Sequence, residues 1–595
     1  MAKKPIISHF HIHVSMQYSE LAEMFDKMEA TGSRLEMASI MSEFFKRTDP
    51  ALLRNIIYLT QGKLHPDFFP DKLGMAEKLV FKAIIFTTRE NEAEAEKRWI
   101  SEGDLGTLAE SLVGKKKQRA LFSETLTLER VLKSLTLIEN TDGKNSQDKK
   151  LNLLSDLLHD AEPLEARYIC RIVTGKMRVG AASMTILDAL ADAFADKGVR
   201  DDIERAFNIT CDLGLVAETL ATKGMGGIND IKVTVGNPIK VMLAERLPSV
   251  PEILEKMDGK CAFEYKYDGI RVQAHIGKNG VKLYSRRLED LTENFKDIAD
   301  ALAKQFSGSE TIIEGECVSV GSDGKMLPFQ NVTHRRRKHG MDAALEKYPV
   351  RIFMFDMLYL DGRDMTVEGY VERRNILEKS FAMTEVIQMA NMRIVDTSEG
   401  AEAFFDEALE DGCEGIMAKS LTSESIYRAG SRGFLWIKYK KDYRTDLTDT
   451  FDLVVIGAFY GMGKRTGRYG ALLMAAFDPE TGTYGTTCKL GTGFDDAFLD
   501  SMPSLLDSFK NDKKPNSVNA KMIPDVWFNP SVVLEVVGAE ISTSPIHTAA
   551  FGKVKENAGL GIRFPRFTGR VRDDKRADES TSVQEIEDMF DLQIK

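Results

Sequence analysis

Cysteine is sparse: Cys170, Cys211, Cys261, Cys317, Cys413 and Cys488 are scattered through 595 residues with no C-x-x-C pair. That spacing argues against a zinc ribbon or a disulfide framework and predicts reduced thiols. Also missing is any uninterrupted apolar run near the ~20 residues that a membrane span requires. The first stretch, Met1 to Ser15, has Lys3 and Lys4 but no long apolar core, so no secretory signal is read there. Positive charge is not in excess either, the formal net charge being -11. Bulk charge therefore gives no hint of nucleic acid, although phosphate contacts need a basic face rather than a basic total. What remains is a soluble, cytoplasmic protein with no membrane association. Its 43% hydrophobic and 29% charged residues suit globular folding, and at ~100–200 residues per domain three or four domains are expected.

The histidines at His9, His11 and His13 alternate, so a strand there would place three imidazoles on one face, as a metal site needs. The plainer reading of residues 1–15 is a frayed or misassigned start, with Met16 as the natural first residue.

Periodicity divides the rest. Leu21, Met24, Phe25 and Met28 fall at i, i+3, i+4 and i+7, a helical stripe closed by Gly32. Leu164, Tyr168 and Ile172 make another, as do Ile186, Leu187, Leu190 and Phe194. Between those two, Gly175 suits a helix C-cap, and Lys176 and Arg178 would stand where the next helix presents free N–H groups, a place for a phosphate. A solvated basic loop has the same composition. The glycine-rich stretch 223–227 then breaks the helical pattern, and a boundary is set between residues 232 and 233. Beyond Val235 the period becomes 2, with strands expected at Cys261–His275, Val281–Arg286, Thr311–Val320, Val350–Leu360 and Gly412–Lys419 and helix at Glu293–Gln305. This is an α+β domain over 233–445. From 446 to 595 further strands, at Leu453–Phe459, Ala471–Phe477 and Val532–Val537, fit a small β-barrel, with a hinge at Lys440–Arg444.

The chemistry concentrates in the middle domain. Alternation puts Glu264, Lys266 and Asp268 on one strand face, with Asp268-Gly269 making the turn that ends it. A lysine becomes nucleophilic only on losing its proton, which two carboxylates oppose unless cations offset them. A divalent cation near Lys266 is the expected offset. Glu314 and Glu316 share another face, with Gly315 allowing close backbone approach. Trp436, Lys438 and Lys440 share a third, where two lysines repel unless an anion lies across them. Each set alone is also what a solvated face looks like; together they fit a metal–phosphate site.

These residues resemble a family. Lys266-Tyr-Asp-Gly-Ile-Arg271 is similar to the lysine motif of the covalent nucleotidyltransferases, which comprise DNA ligases, RNA ligases and mRNA capping enzymes. Tyr284-Ser-Arg286 with Glu289-Asp290, Glu314-Gly-Glu316, Phe353-Met-Phe-Asp356, Glu414-Gly-Ile-Met-Ala-Lys419 and Trp436-Ile-Lys-Tyr-Lys440 follow in the family order. Arg563-Phe-Pro-Arg566 and Arg572-Asp-Asp-Lys575 resemble the last motif. The resemblance implies that Lys266 attacks the α-phosphate of ATP and carries AMP. It places Glu264 and Phe355 at the adenine, Arg271 and Arg286 at ribose and phosphate, and Arg432 and Lys438 in the phosphate pocket. Glu316 would meet the ribose or Mg²⁺, and Glu414 would help to hold the Mg²⁺. Arg563, Arg566 and Lys575 would clamp the leaving pyrophosphate from an OB-fold domain, which must then swing away. One point resists the strand reading: Glu414 and Lys419 are five apart, so either a bulge intervenes or they serve different sides.

The helical region, through Glu165-Ala-Arg-Tyr-Ile-Cys-Arg171 and Gly175-Lys-Met-Arg-Val-Gly180, resembles the all-α DNA-binding domain of archaeal and eukaryotic replicative DNA ligases. That likeness implies nick sealing in replication, repair and recombination, with Lys176 and Arg178 on the duplex backbone. It brings with it a sliding-clamp partner, for which no peptide stands out, and a monomer that encircles DNA. A NAD-dependent ligase would add paired cysteines and further modules. A capping enzyme or RNA ligase would not need so long a helical region. An inactive DNA-binding scaffold would be expected to have lost one of Lys266, Glu316 and Lys438.

Overall fold

The computed structural model describes residues 16–69, 73, 75–115, 124–321, 324–335, 341–440, 450–461 and 467–594. The histidines at 9, 11 and 13, and the hinge beyond Lys440, lie outside the described residues. The chain divides into two compact units, Met1–Lys438 and Tyr439–Lys595.

In the first unit the regular elements from Tyr18 to Asn229 are helical. Leu21, Met24, Phe25 and Met28 are all buried along the helix Tyr18–Glu29, which is capped at Ala30, short of Gly32. Polar caps start other helices: Ser33 and Thr127 accept the backbone N–H of Glu36 and Arg130, satisfying donors that a helix N-terminus leaves free. The helix Pro163–Val173 buries Tyr168, Ile169 and Ile172 in the shared core, and Arg171 with them. That guanidinium is tolerated inside because Glu29 and Asp104 both answer it, at 2.6 Å each. The glycine-rich stretch 223–227 breaks the helical pattern, as its composition predicts. Between Leu213 and Asn229 the backbone leaves the helical conformation at Gly224, whose φ of 61° glycine adopts without steric cost, and Asn229 is the last helical residue before the strands.

The strands that follow are β1 (Leu243–Arg246), β2 (Cys261–Lys266), β3 (Ile270–Gly277), β4 (Gly280–Ser285), β5 (Thr311–Ser319) and β6 (Val350–Leu360). After these come β7 (Arg363–Asp364), β8 (Ile387–Met389), β9 (Met392–Val395), β10 (Gly415–Ser420) and β11 (Arg432–Lys440). They form two sheets, β1-β11-β10-β2-β9 and β4-β3-β5-β6-β7, the latter with β8 added on β6. The stretch Cys261–His275 is thus two strands in two sheets, and the turn expected at Asp268-Gly269 falls in the interruption, Tyr267–Gly269. Gly269 makes the crossing sterically feasible: a β-carbon there would stand 2.4 Å from the carbonyl oxygen of Cys317. The crossing leaves Lys266 at the end of one sheet and Arg271 near the start of the other.

The helix Arg200–Thr210 packs into this α+β region. Ile209 shares an apolar cluster with Ile239, Met242, Tyr427 and Trp436. Asn208 Nδ2 donates to the carbonyl of Ala429 at 3.0 Å, and Arg205 pairs with Asp364 at 3.1 Å.

In the second unit the strands Phe451–Tyr460, Tyr469–Asp478 and Thr483–Leu490 form an antiparallel meander. Val533–Val537 pairs with the first of them and Arg566–Val571 with Val533–Val537. Phe451, Leu453, Met474, Leu490 and Leu534 fill its core, against helices that include Met502 and Ile586. This is the expected OB-type domain. All six cysteines are buried free thiols. Among the described residues no helix is long and apolar enough to cross a membrane.

Candidate active site

Lys266 ends β2, its Nζ 2.7 Å from a carboxylate oxygen of Glu414. Glu414 lies one residue before β10, where its backbone N–H donates to the carbonyl of Lys266 at 2.9 Å. The pairing of β10 with β2 is regular, Gly415 opposite Lys266, Met417 opposite Glu264 and Lys419 opposite Ala262. So there is no bulge, and the five-residue spacing is resolved the other way: Glu414 is off the strand and serves Lys266, while Lys419 serves Glu264 at 2.6 Å. One acid–lysine pair thus spans the two strands and the other closes their end.

Glu264 is buried among donors. Besides Lys419 it accepts from the hydroxyl of Tyr370 (2.5 Å) and Nη1 of Arg374 (2.8 Å). Burial lowers the pKa of Lys419 despite its partner. Its ammonium also faces the rings of Phe355, Tyr370 and Trp436, at 4.9, 4.9 and 4.5 Å from their centroids.

From the other sheet, Arg271 donates to Glu314 (2.6 Å) and to the carbonyl of Met242 (3.1 Å). Glu314 also accepts from the hydroxyl of Tyr427 at 2.9 Å. The guanidinium of Arg271 lies 5.3 Å from the ring of Phe355 and 5.5 Å from that of Trp436, and the two rings meet edge-on at 6.3 Å. Nε of Arg271 and Nε1 of Trp436 are buried without a hydrogen-bond partner. A polar group so placed is costly unless something accepts from it, and ligand oxygens would.

Glu316 stands opposite Arg271 in the β3–β5 pairing. Burial pushes its carboxyl up to about 7, against the pull of Lys266 and then Arg271, with Glu414 and Asp268 adding repulsion. An acid so destabilised beside other acids calls for a cation. Among the described residues no cluster of three or more His, Cys, Asp or Glu side chains could hold a metal alone. The pair Glu316 and Glu414 nevertheless fits Mg²⁺, which binds through one or two carboxylates and completes its shell with substrate phosphates and water.

Three family models match this chain: ATP dependent DNA ligase domain over residues 241–440, DNA ligase N terminus over 17–191 and ATP dependent DNA ligase C terminal region over 465–575. Among similar proteins, DNA ligase 2 of Thermofilum pendens is 46% identical, the alignment covering 98% of each chain. The DNA ligase of Sulfolobus acidocaldarius is 42% identical, again over 98% of each. The chain belongs to the ATP-dependent DNA ligases. The solved structure named Pmar-Lig_PreS3 shares its fold, with a TM-score of 0.51 at 17% identity over 93% of this chain and 99% of that one.

The remaining expected residues of this ligase lie on other elements. Arg286 is exposed just past β4, and Arg432 is exposed at the start of β11, opposite Leu243. Lys438 lies further along β11, opposite Arg246. In the OB-type unit, Arg563 pairs with Glu540 at 2.6 Å and Arg566 is exposed. Lys575 and Arg572 both bind Asp452, at 2.7 and 2.6 Å, an acid that the motif reading missed.

In the helical region the expected phosphate cradle has a different form. The next helix begins only at Ser183, so Lys176 and Arg178 do not flank its first N–H groups. Lys176 instead pairs with Glu77 at 2.7 Å, and Arg178, at φ 58°, donates to the carbonyl of Gly103 at 2.6 Å. Tyr370, Arg374 and Tyr427 also escaped the sequence reading. The i, i+4 spacing of Tyr370 and Arg374, on a helix with the doublet Arg373-Arg374, was the available signal.

Proposed function

We propose that this ligase joins nicked DNA in three steps carried by Lys266. Nζ attacks the α-phosphorus of ATP, the bond to the β-phosphate oxygen breaks, and pyrophosphate leaves while AMP stays on the lysine as a phosphoramidate. The ammonium first gives up its proton to solvent, a loss that a divalent cation beside Glu316 and Glu414 would favour. AMP then moves to the 5′-phosphate at the nick, restoring the lysine, and the 3′-hydroxyl attacks that phosphate and expels AMP. The observation that carries this reading is the contact of Lys266 with Glu414 at 2.7 Å, beside the strained acid Glu316.

Phosphoryl transfer depends on positioning and on neutralising charge. Mg²⁺ held by Glu316 and Glu414 would neutralise charge on the triphosphate. Arg271 is fixed by Glu314 and Met242 and offers its remaining buried Nε to the nucleotide. Phe355 supplies an aromatic wall for the base, and Glu264 a hydrogen-bond acceptor at its edge. Arg286, Arg432 and Lys438 complete the phosphate pocket, and Arg563, Arg566 and Lys575 bind the pyrophosphate. Lys176 and Arg178 hold the duplex backbone. The setting is replication, repair and recombination, with a sliding clamp as partner and the ligase as a monomer.

Incubation with labelled ATP and Mg²⁺ tests the first step. Label should attach to the unaltered protein and vanish in Lys266→Ala, while nicked DNA remains bound. Label that persists in the variant removes Lys266 as the acceptor.

A further inference from the structure

Glu264 is held more tightly than an acid needs merely to be neutralised. A carboxylate offers about four lone-pair positions, two on each oxygen. Oε1 receives both the Tyr370 hydroxyl (2.5 Å) and Arg374 Nη1 (2.8 Å), and Oε2 receives Lys419 Nζ (2.6 Å). One accepting position is left, on Oε2. The two donors on Oε1 are themselves fixed. Arg374 spends its other edges on the carbonyl of Ala390 (2.6 Å) and on Glu378 (3.1 Å). Tyr370 is buried beside the acid, which keeps its phenol protonated and donating. Both come from one turn of the helix Tyr370–Ser380.

We propose that Tyr370 and Arg374 are positioning residues that set the nucleobase choice of this ligase by leaving Glu264 a single free acceptor. The inference rests on the reading that Glu264 faces the base of the nucleotide. A 6-aminopurine brings one N–H to that acceptor and is served. Guanine brings two adjacent donors, N1–H and the 2-amino group, which are best matched by both oxygens of one carboxylate, as in other bidentate pairs. With Oε1 doubly occupied that mode is closed. Turned the other way, guanine sets its O6 acceptor against Oε2, which repels it. Rejection thus comes from filling one oxygen rather than from a steric wall, a form of selectivity achieved by leaving the wrong partner unpaired.

The test uses the full chain and two probes, ATP and GTP labelled on the α-phosphate, each with Mg²⁺, and reads kcat/KM for covalent labelling. The unaltered ligase should favour ATP strongly. Tyr370→Phe removes one oxygen atom and frees a position on Oε1, and the ATP-to-GTP ratio should fall by about tenfold or more, mainly through faster labelling by GTP. Arg374→Met should lower the ratio further, and Arg374→Lys, which keeps a cation but not the fork, should lie between Arg374→Met and the unaltered protein. If both nucleotides lose label in equal proportion, the role is only structural and the proposal falls. Equal labelling of the unaltered ligase by the two nucleotides overturns it as well. Glu264→Gln separates the two layers of the argument. A ratio unmoved by Glu264→Gln sinks the base-facing reading and this inference with it. A ratio that moves with Glu264→Gln but not with Tyr370→Phe sinks the positioning role alone.

Discussion

Arg373 and Asp356 meet through two parallel hydrogen bonds, 2.7 and 2.9 Å long, with neither side chain exposed to solvent. Arg373 also donates to the carbonyls of Glu368 and Ser425. Removing one member of such a pair strands the other charge in a dry interior, at a cost of about 3–5 kcal/mol. Arg373→Met should therefore lower the melting transition of the α+β region by several degrees. Adding Asp356→Leu should recover part of the loss, because the stranded charge is then gone. Calorimetry of the single and double variants checks this; a double variant no better than the single one contradicts it.

Gly269 is the second sensitive point. The carbonyl oxygen of Cys317 would lie 2.4 Å from a β-carbon on it, and backbone cannot yield as a flexible side chain can. Gly269→Ala should push the crossing between β2 and β3 away from β5 and displace Lys266 from its partners. Covalent labelling by ATP is expected to drop at least about tenfold, or ~1.4 kcal/mol on the barrier. Binding of nicked DNA should change little. Labelling at the unaltered rate would show that the close approach does not matter.

His275 gives a pH dependence. Burial pushes its imidazole down to about 3; Nδ1 accepts from the N–H of Gly236 and Nε2 faces Oε1 of Gln273, each at 3.0 Å. The folded chain keeps the ring neutral, whereas the unfolded chain binds a proton below about pH 6.5. The stabilisation is thus complete above that pH and is lost as pH falls from 6.5 toward 3, by about 1.4 kcal/mol at one unit below. Melting of the unaltered ligase and of His275→Gln at about pH 7.5 and about pH 5.5 should show the gap between them narrowing in acid. A gap that is constant, or wider in acid, refutes the assignment.

Lys176 tests the DNA contact. Its pairing with Glu77 is at the surface, and such pairs are worth about 0–1 kcal/mol, so a phosphate can take the lysine over. Lys176→Ala should weaken binding of nicked duplexes by a similar factor whatever their sequence. It should also reduce the slope of log affinity against log salt by about one. An unchanged slope removes Lys176 from the interface.

Much of the site was legible because its motifs are local. Lys266, Arg271, Glu316 and Glu414 each sit in a short block whose spacing survives folding. The helical stripe at Leu21, Met24, Phe25 and Met28 was readable for the same reason: its period is written in a dozen residues. What the sequence hid was long-range. The turn at Asp268-Gly269 that ends the strand of Lys266 was legible, but not that the chain changes sheet there, which the close passage of Cys317 beside Gly269 accompanies. Tyr370 and Arg374 act on Glu264 from more than a hundred residues away. Of the two readings that alternation left for Glu414 and Lys419, service to different sides is the one that holds, although the strand starts at Gly415 and Glu414 precedes it. Glycine content did mark the break in the helices at 223–227, where Gly224 leaves the helical conformation.

The docking of Ile209 among Met242, Tyr427 and Trp436 makes the amino-terminal half more than a detachable handle. Severing the polypeptide at residue 232 would strip greasy indole and phenol surface bare next to the strand bearing Lys438, and the liberated carboxy-terminal fragment should clump in dilute buffer. The helical region and the α+β region are thus joined through a shared apolar cluster, so that neither surface is complete without the other.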